Sequence, residues 1–176
     1  MSRLLLPFVF ACLASVTTLA QTVQTVILPA NIGTVDESSL SITNFGSTGA
    51  AGLRASAPVG SEALIRYLIP NTVAPGSSEP CIEIRFRDTG PDARVRVLVR
   101  ELELGSNRVL GGVFDSDDVD AGASPDFRGA THCLNPRSNG DPFFDFSGHA
   151  YVIEVYLRRV AAGGQPGVQA MQIANR

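Results

Sequence analysis

Lysine and tryptophan are absent from this chain of 176 residues, so all 14 of its basic residues are arginine. Without lysine there is no phosphate-loop amine, no Schiff base and no pyridoxal anchor. Without tryptophan the largest flat ring for stacking on a sugar is missing. Histidine occurs only 2 times, at 132 and 149, too few for a histidine-based zinc site. The 17 acidic residues give a net charge of -3, which lacks the basic excess of a dedicated nucleic-acid binder. The exclusively arginine basic set is a compositional sign of a GC-rich bacterial genome.

A targeting segment accounts for the N-terminus. Arg3 supplies a short positive n-region, residues 4–14 (LLLPFVFACLA) are almost unbroken apolar sequence, and Thr18 and Ala20 are small residues at the -3 and -1 positions of a cut after Ala20. This is the layout of a secretory signal peptide over residues 1–20. The apolar run falls short of the roughly 20 residues of a spanning helix, so no membrane span is expected. Lipid attachment at Cys12 is a second reading of Val9-Phe10-Ala11-Cys12, but it leaves a very short leader. Cleavage after Ala20 removes Arg3 and Cys12, takes the net charge to -4 and leaves residues 21–176 as one domain. The protein is then periplasmic or extracellular, and Cys81 and Cys133 are expected to form a disulfide. Closing a loop of that length is worth about 4 kcal/mol by chain entropy.

Beyond residue 21 the apolar pattern repeats every two residues and is broken often by Gly, Pro, Asp and Asn. Strands are expected at 23–28, 40–43, 63–69, 81–87, 94–104, 108–114, 127–134, 149–160 and 168–173, with a weak one around 53–57. The run 63–69 (ALIRYLI) is apolar on both faces, as in a central strand. In 81–87, Ile82, Ile84 and Phe86 oppose Glu83, Arg85 and Arg87; across the turn at 88–92, Val95, Val97 and Val99 alternate with arginines. These two segments read as a hairpin with an arginine face. Beyond Arg100 the parity changes, with Leu102 and Leu104 in the apolar role, as a bulge would produce. With no crossover helices the sheets are antiparallel. The expected fold is all-β: a jelly-roll-like antiparallel β-sandwich of about eight or nine strands.

Several constellations could carry chemistry. Asp115, Asp117, Asp118 and Asp120 crowd one loop and offer oxygen ligands for calcium, although the spacing is not that of an EF-hand; a solvated acidic loop is the alternative. No other cofactor is implied. Arg85 and Arg96, with Tyr156 on the outer parity of the last long strand, could touch an anionic ligand, because a guanidinium grips carboxylates and phosphates in pairs. The competing reading is an Arg/Glu ladder using Glu101, Glu103 and Glu154, which keeps a sheet face soluble. Asp145, Ser147 and His149 lie too close along the chain for a catalytic relay. Phe143, Phe144 and Phe146 fit a core role. Glu83, Glu101, Glu103 and Glu154 all fall on expected outer faces, a poor setting for glycoside hydrolysis.

The sequence therefore points to an exported, non-catalytic binding or structural interaction protein with no assigned catalytic residue. The alternative is a carbohydrate-binding module, calcium-assisted or not; a jelly-roll hydrolase ranks third. The partner would be an acidic polysaccharide or another surface protein, not nucleic acid.

Overall fold

The computed structural model describes residues 25–73, 79–118, 123–135 and 143–175. The leader at 1–20, Cys12, Asp120 and most of the 135–142 connection lie outside them. Among the described residues there are eleven strands and no α-helix: β1 (Thr25–Pro29), β2 (Thr34–Val35), β3 (Thr43–Phe45), β4 (Ala51–Leu53), β5 (Glu62–Ile69), β6 (Pro80–Asp88), β7 (Ala93–Glu103), β8 (Ser106–Asp115), β9 (Ser124–Cys133), β10 (Ala150–Arg159) and β11 (Gly167–Asn175). They form two antiparallel sheets. One runs β3-β4-β11-β6-β9, with β1 also paired to β11; the other runs β2-β5-β10-β7-β8. The result is a jelly-roll-like β-sandwich in which only β3–β4 and β7–β8 are sequential hairpins and every other connection changes sheet.

Periodicity places the core correctly. Ile82, Ile84 and Phe86 of β6, Val95, Val97 and Val99 of β7, Ala63, Ile65, Tyr67 and Ile69 of β5, and Tyr151, Ile153, Val155 and Leu157 of β10 are all buried between the sheets. Phe143 and Phe144 close one end, with Phe144 edge-on to Tyr151. Tyr67 donates its hydroxyl to the Ala30 carbonyl at 2.8 Å, and burial pushes its phenol pKa up.

Several sequence expectations fail, each for a local reason. β6 and β7 are not a hairpin: they lie in different sheets, with their apolar faces opposed across the core. The two-residue alternation says which face turns inward and is silent about which strand lies alongside. The link between them is a corner. Asp88 is buried and accepts the Gly90 amide at 2.8 Å, Gly90 has φ 92°, and the Asp92 carbonyl takes amides from Val160 and Ala161. The expected parity change in β7 is absent as well. The inward phase runs on to Glu101, which is buried, while Leu104 is fully exposed at the β7–β8 turn. The register breaks lie in β8, where the partners of β7 step from Phe114 to Gly112 and from Gly111 to Val109. Glycines accept a bulge more cheaply than the valine-rich β7. Of the strand expected at 40–43 only Thr43 is extended, as the first residue of β3; residues 40–42 form a turn that follows the 3-10 segment Glu37–Ser39. In β5, Leu68 faces solvent, so this strand is buried on one side only.

Cys81 and Cys133 are joined as expected, directly opposite each other on β6 and β9. The bond ties β9 to the sheet close to where both strands meet the 134–142 and 70–79 connections.

Candidate functional site

The outer face of the five-stranded sheet carries the best-organised polar surface. Antiparallel register places Glu154 of β10 between Arg66 of β5 and Leu98 of β7, and Tyr156 between Leu64 and Arg96. Arg158 lies between Glu62 and Arg94. All of these share the outward parity, because successive side chains on a strand alternate faces.

Glu154 is the anchor of this surface. It points outward yet is only 4% exposed. Its Oε1 accepts Arg66 Nε at 3.1 Å, and its Oε2 accepts the Tyr156 hydroxyl at 2.8 Å and Arg100 Nε. Burial pushes its carboxyl up, but the bonds from Arg100, Tyr156 and Arg66 outweigh this and hold it below the usual carboxylate range. Arg66 also reaches Asp36 at 3.1 Å. The tyrosine is therefore fixed at its hydroxyl, and the Arg96 guanidinium lies over its ring, 4.8 Å from the centroid.

Beside this stack, Glu62, Arg94, Arg96, Tyr156 and Arg158 line an open depression of about 230 Å³. Arg94 is neutralised from its far side: its Nε and Nη2 both bond Asp115, and its Nε is 3.1 Å from Asp117. Burial pushes the Asp115 carboxyl up, and the Arg94 contacts more than reverse the shift. Ser116, between these aspartates, accepts the Val95 amide at 2.9 Å and so docks the acidic turn onto β7.

The sequence-derived site residues are thus divided. Arg96 and Tyr156 meet on one surface. Arg85 does not join them: it lies on the opposite face of the molecule, outward on β6, with Nη2 directed at the Phe127 carbonyl at 3.5 Å. Its neighbour Arg87 donates to the Gln165 carbonyl at 3.0 Å and covers the Phe127 ring. Of the four aspartates weighed for calcium, Asp115 and Asp117 are drawn to Arg94, Asp118 is exposed at the end of the 3-10 turn, and Asp120 lies outside the described residues. Among the described residues no group of three or more His, Cys, Asp or Glu is placed to hold a metal ion.

The glutamates expected on open faces also divide. Glu83 and Glu103 are exposed, but Glu101 and Glu154 are buried. Glu101 faces inward and binds Arg108 at 2.6 Å and the Tyr151 hydroxyl at 3.1 Å. Because Glu101 and Glu154 occupy opposite faces of one sheet, they do not converge on a scissile bond. Ser147 bonds Asp145 in a local turn, with Oγ to Oδ1 at 2.6 Å, rather than a histidine. His149 Nδ1 is buried without a hydrogen-bond partner.

Sequence reasoning passed over Arg66, Glu62, Arg94 and Arg158 as site residues. For Arg66 a signal was present: it is the one charged residue within the run 63–69 and shares parity with Glu62.

No protein-family model matches the chain, and no curated protein does. Solved structures with a similar fold include the xylan-binding module CBM15, with a TM-score of 0.55 and 12% identity over 87% of this chain and 97% of that one. Another is the C-terminal CBM6 of LamC, a marine laminarinase from Zobellia galactanivorans, with a TM-score of 0.50 and 17% identity over 86% of this chain and 100% of that one. At these identities the likeness is one of fold: the chain has the β-sandwich architecture of carbohydrate-binding modules. Among the described residues no helix is long and apolar enough to cross a membrane.

Proposed function

We propose that this protein is an exported, non-catalytic carbohydrate-binding module that takes its ligand on the outer face of the five-stranded sheet. One observation carries the reading: Tyr156 and Arg96 are stacked and held by the Glu154 network beside an open depression, so polar and aromatic groups are presented in fixed orientation. Preorganised groups bind without the entropy cost of ordering them. Fold similarity to a xylan-binding module and to a module of a laminarinase supports the ligand class. The pairing of Glu101 and Glu154 with arginines supports a binding rather than a hydrolytic role. The leader-like N-terminus and the Cys81–Cys133 bond support export.

Native gels containing soluble xylan, β-glucan or polygalacturonate test this. At least one polymer is expected to retard the protein, Tyr156→Ala to abolish the retardation, and Arg85→Ala to leave it intact. Free migration in every gel, or equal loss in both variants, contradicts the proposal.

A further inference from the structure

The depression beside Tyr156 has a chemical bias that the fold does not impose. Its lining holds three arginines against one carboxylate, Glu62. Arg94 is committed to Asp115 and Asp117. Arg96 and Arg158 make no ion pair within 4 Å among the described residues, although Asp115 stands opposite Arg96 and Glu62 opposite Arg158 in the strand registers, and Arg158 is exposed. They are diagonal neighbours on adjacent strands, since Arg96 opposes Tyr156 and Arg94 opposes Arg158. Diagonal positions on one face are about 7–8 Å apart, within joint reach of one small anion for side chains this long. The Arg96 guanidinium is braced on the Tyr156 ring. That brace covers part of the ring, so a sugar meets a guanidinium edge rather than a bare aromatic platform. At about 230 Å³ the hollow is smaller than the roughly 300–1,000 Å³ of a typical small-molecule pocket. On this face Arg94 already grips one carboxylate, that of Asp115, through both Nε and Nη2.

Resting on the carbohydrate-binding reading, we infer that the ligand is a uronate-bearing polysaccharide, one of whose carboxylates is held between Arg96 and Arg158. The planar fork of arginine matches a planar carboxylate, and two such forks select for it over a neutral hydroxymethyl group at the same ring position. Glu62, opposite Arg158 in the register, is the one carboxylate lining the hollow and disfavours a second anion there.

The test is titration of the purified protein with polygalacturonate, with the same polymer after reduction of its carboxyls to alcohols, with a neutral β-glucan and with dextran sulfate, at low and raised salt. Polygalacturonate is expected to bind best and to weaken with salt, and the reduced polymer to lose most of the affinity. Arg158→Gln and Arg96→Gln are each expected to weaken polygalacturonate binding about tenfold or more, the usual loss of a charge-assisted hydrogen bond, with the thermal midpoint unchanged. Arg96→Lys, which keeps the charge but not the fork, should behave like Arg96→Gln, and Arg85→Gln like the parent. Equal binding of the reduced polymer or of the neutral glucan overturns the uronate inference while leaving carbohydrate binding standing. Tighter binding of dextran sulfate than of polygalacturonate overturns the carboxylate assignment. Full rescue by Arg96→Lys removes the forked grip. Binding to none of the polymers overturns this inference together with the reading beneath it.

Discussion

Glu154 shows how a single residue organises a surface. A carboxylate on an outward-facing position would normally be solvated and nearly neutral in its effect on stability. Here Arg66, Arg100 and Tyr156 close over it, so removing its charge leaves two guanidiniums without their counter-charge and turns one acceptor oxygen into a donor. Glu154→Gln is expected to cost about 2 kcal/mol, below the range for fully buried pairs because Arg66 is 44% exposed. The pH dependence follows from the direction of the shift. The folded carboxyl lies below its ordinary 4.5, so its contribution is complete above that pH and is lost as pH falls through the lowered folded value. Asp115, also lowered from 3.8, adds a loss further down. Denaturant unfolding should show stability falling as pH drops below 4.5, with a shallower fall in Glu154→Gln. Parallel curves would mean that Glu154 is not an ionic anchor. Residue-level legibility was uneven. Tyr156 was readable because parity put it outside beside Glu154 and Arg158. The burial of Glu154 was not, because it depends on Arg66 and Arg100 arriving from strands distant in sequence.

At the scale of elements, long strands were legible and their partners were not. β5, β6, β7 and β10 are eight to eleven residues long, and their alternation survives local irregularity. β2, β3 and β4 span two or three residues each, too few for a period to register, which is why about eight or nine strands were expected instead of eleven. The β6–β7 corner misled for a different reason. Asp88-Thr89-Gly90-Pro91-Asp92 is as good a hairpin turn as a sheet-changing link, and what separates them is remote in sequence: the pairing of β6 with β9 and β11 and of β7 with β8 and β10, and the Val160 and Ala161 amides on Asp92. Separating the two segments moved Arg85 away from Arg96 and relieved the opposition of like charges that a hairpin would have created. The cysteine pairing was legible because the expected loss of residues 1–20 leaves only two thiols, Cys81 and Cys133. The bond links β6 to β9, an edge strand whose other side has no partner in the sheet order. Cys81→Ser/Cys133→Ser should therefore lower stability by about 4 kcal/mol. Hydrogen exchange should show the gain in opening concentrated in β9 first. Unchanged stability in the double variant would contradict a structural role for the bond.

For the whole molecule, the sandwich gives two chemically different outer surfaces. On the six-stranded side, Arg85 and Arg87 are turned onto backbone carbonyls and the Phe127 ring. On the five-stranded side, a buried carboxylate orders a tyrosine and its arginine neighbours around an open hollow. The fold alone does not say which face is used; the proposal of the five-stranded face rests on the Tyr156–Arg96 stack beside the hollow. Amide chemical-shift mapping of the isotope-labelled protein during titration with an acidic oligosaccharide examines this most directly. The perturbed amides should cluster on β5, β7 and β10 around Arg66, Arg96 and Tyr156, with β6 and β9 silent. Perturbations centred on Arg85 and Phe127, or confined to the loops at either end of the sandwich, would contradict the assignment of the binding face.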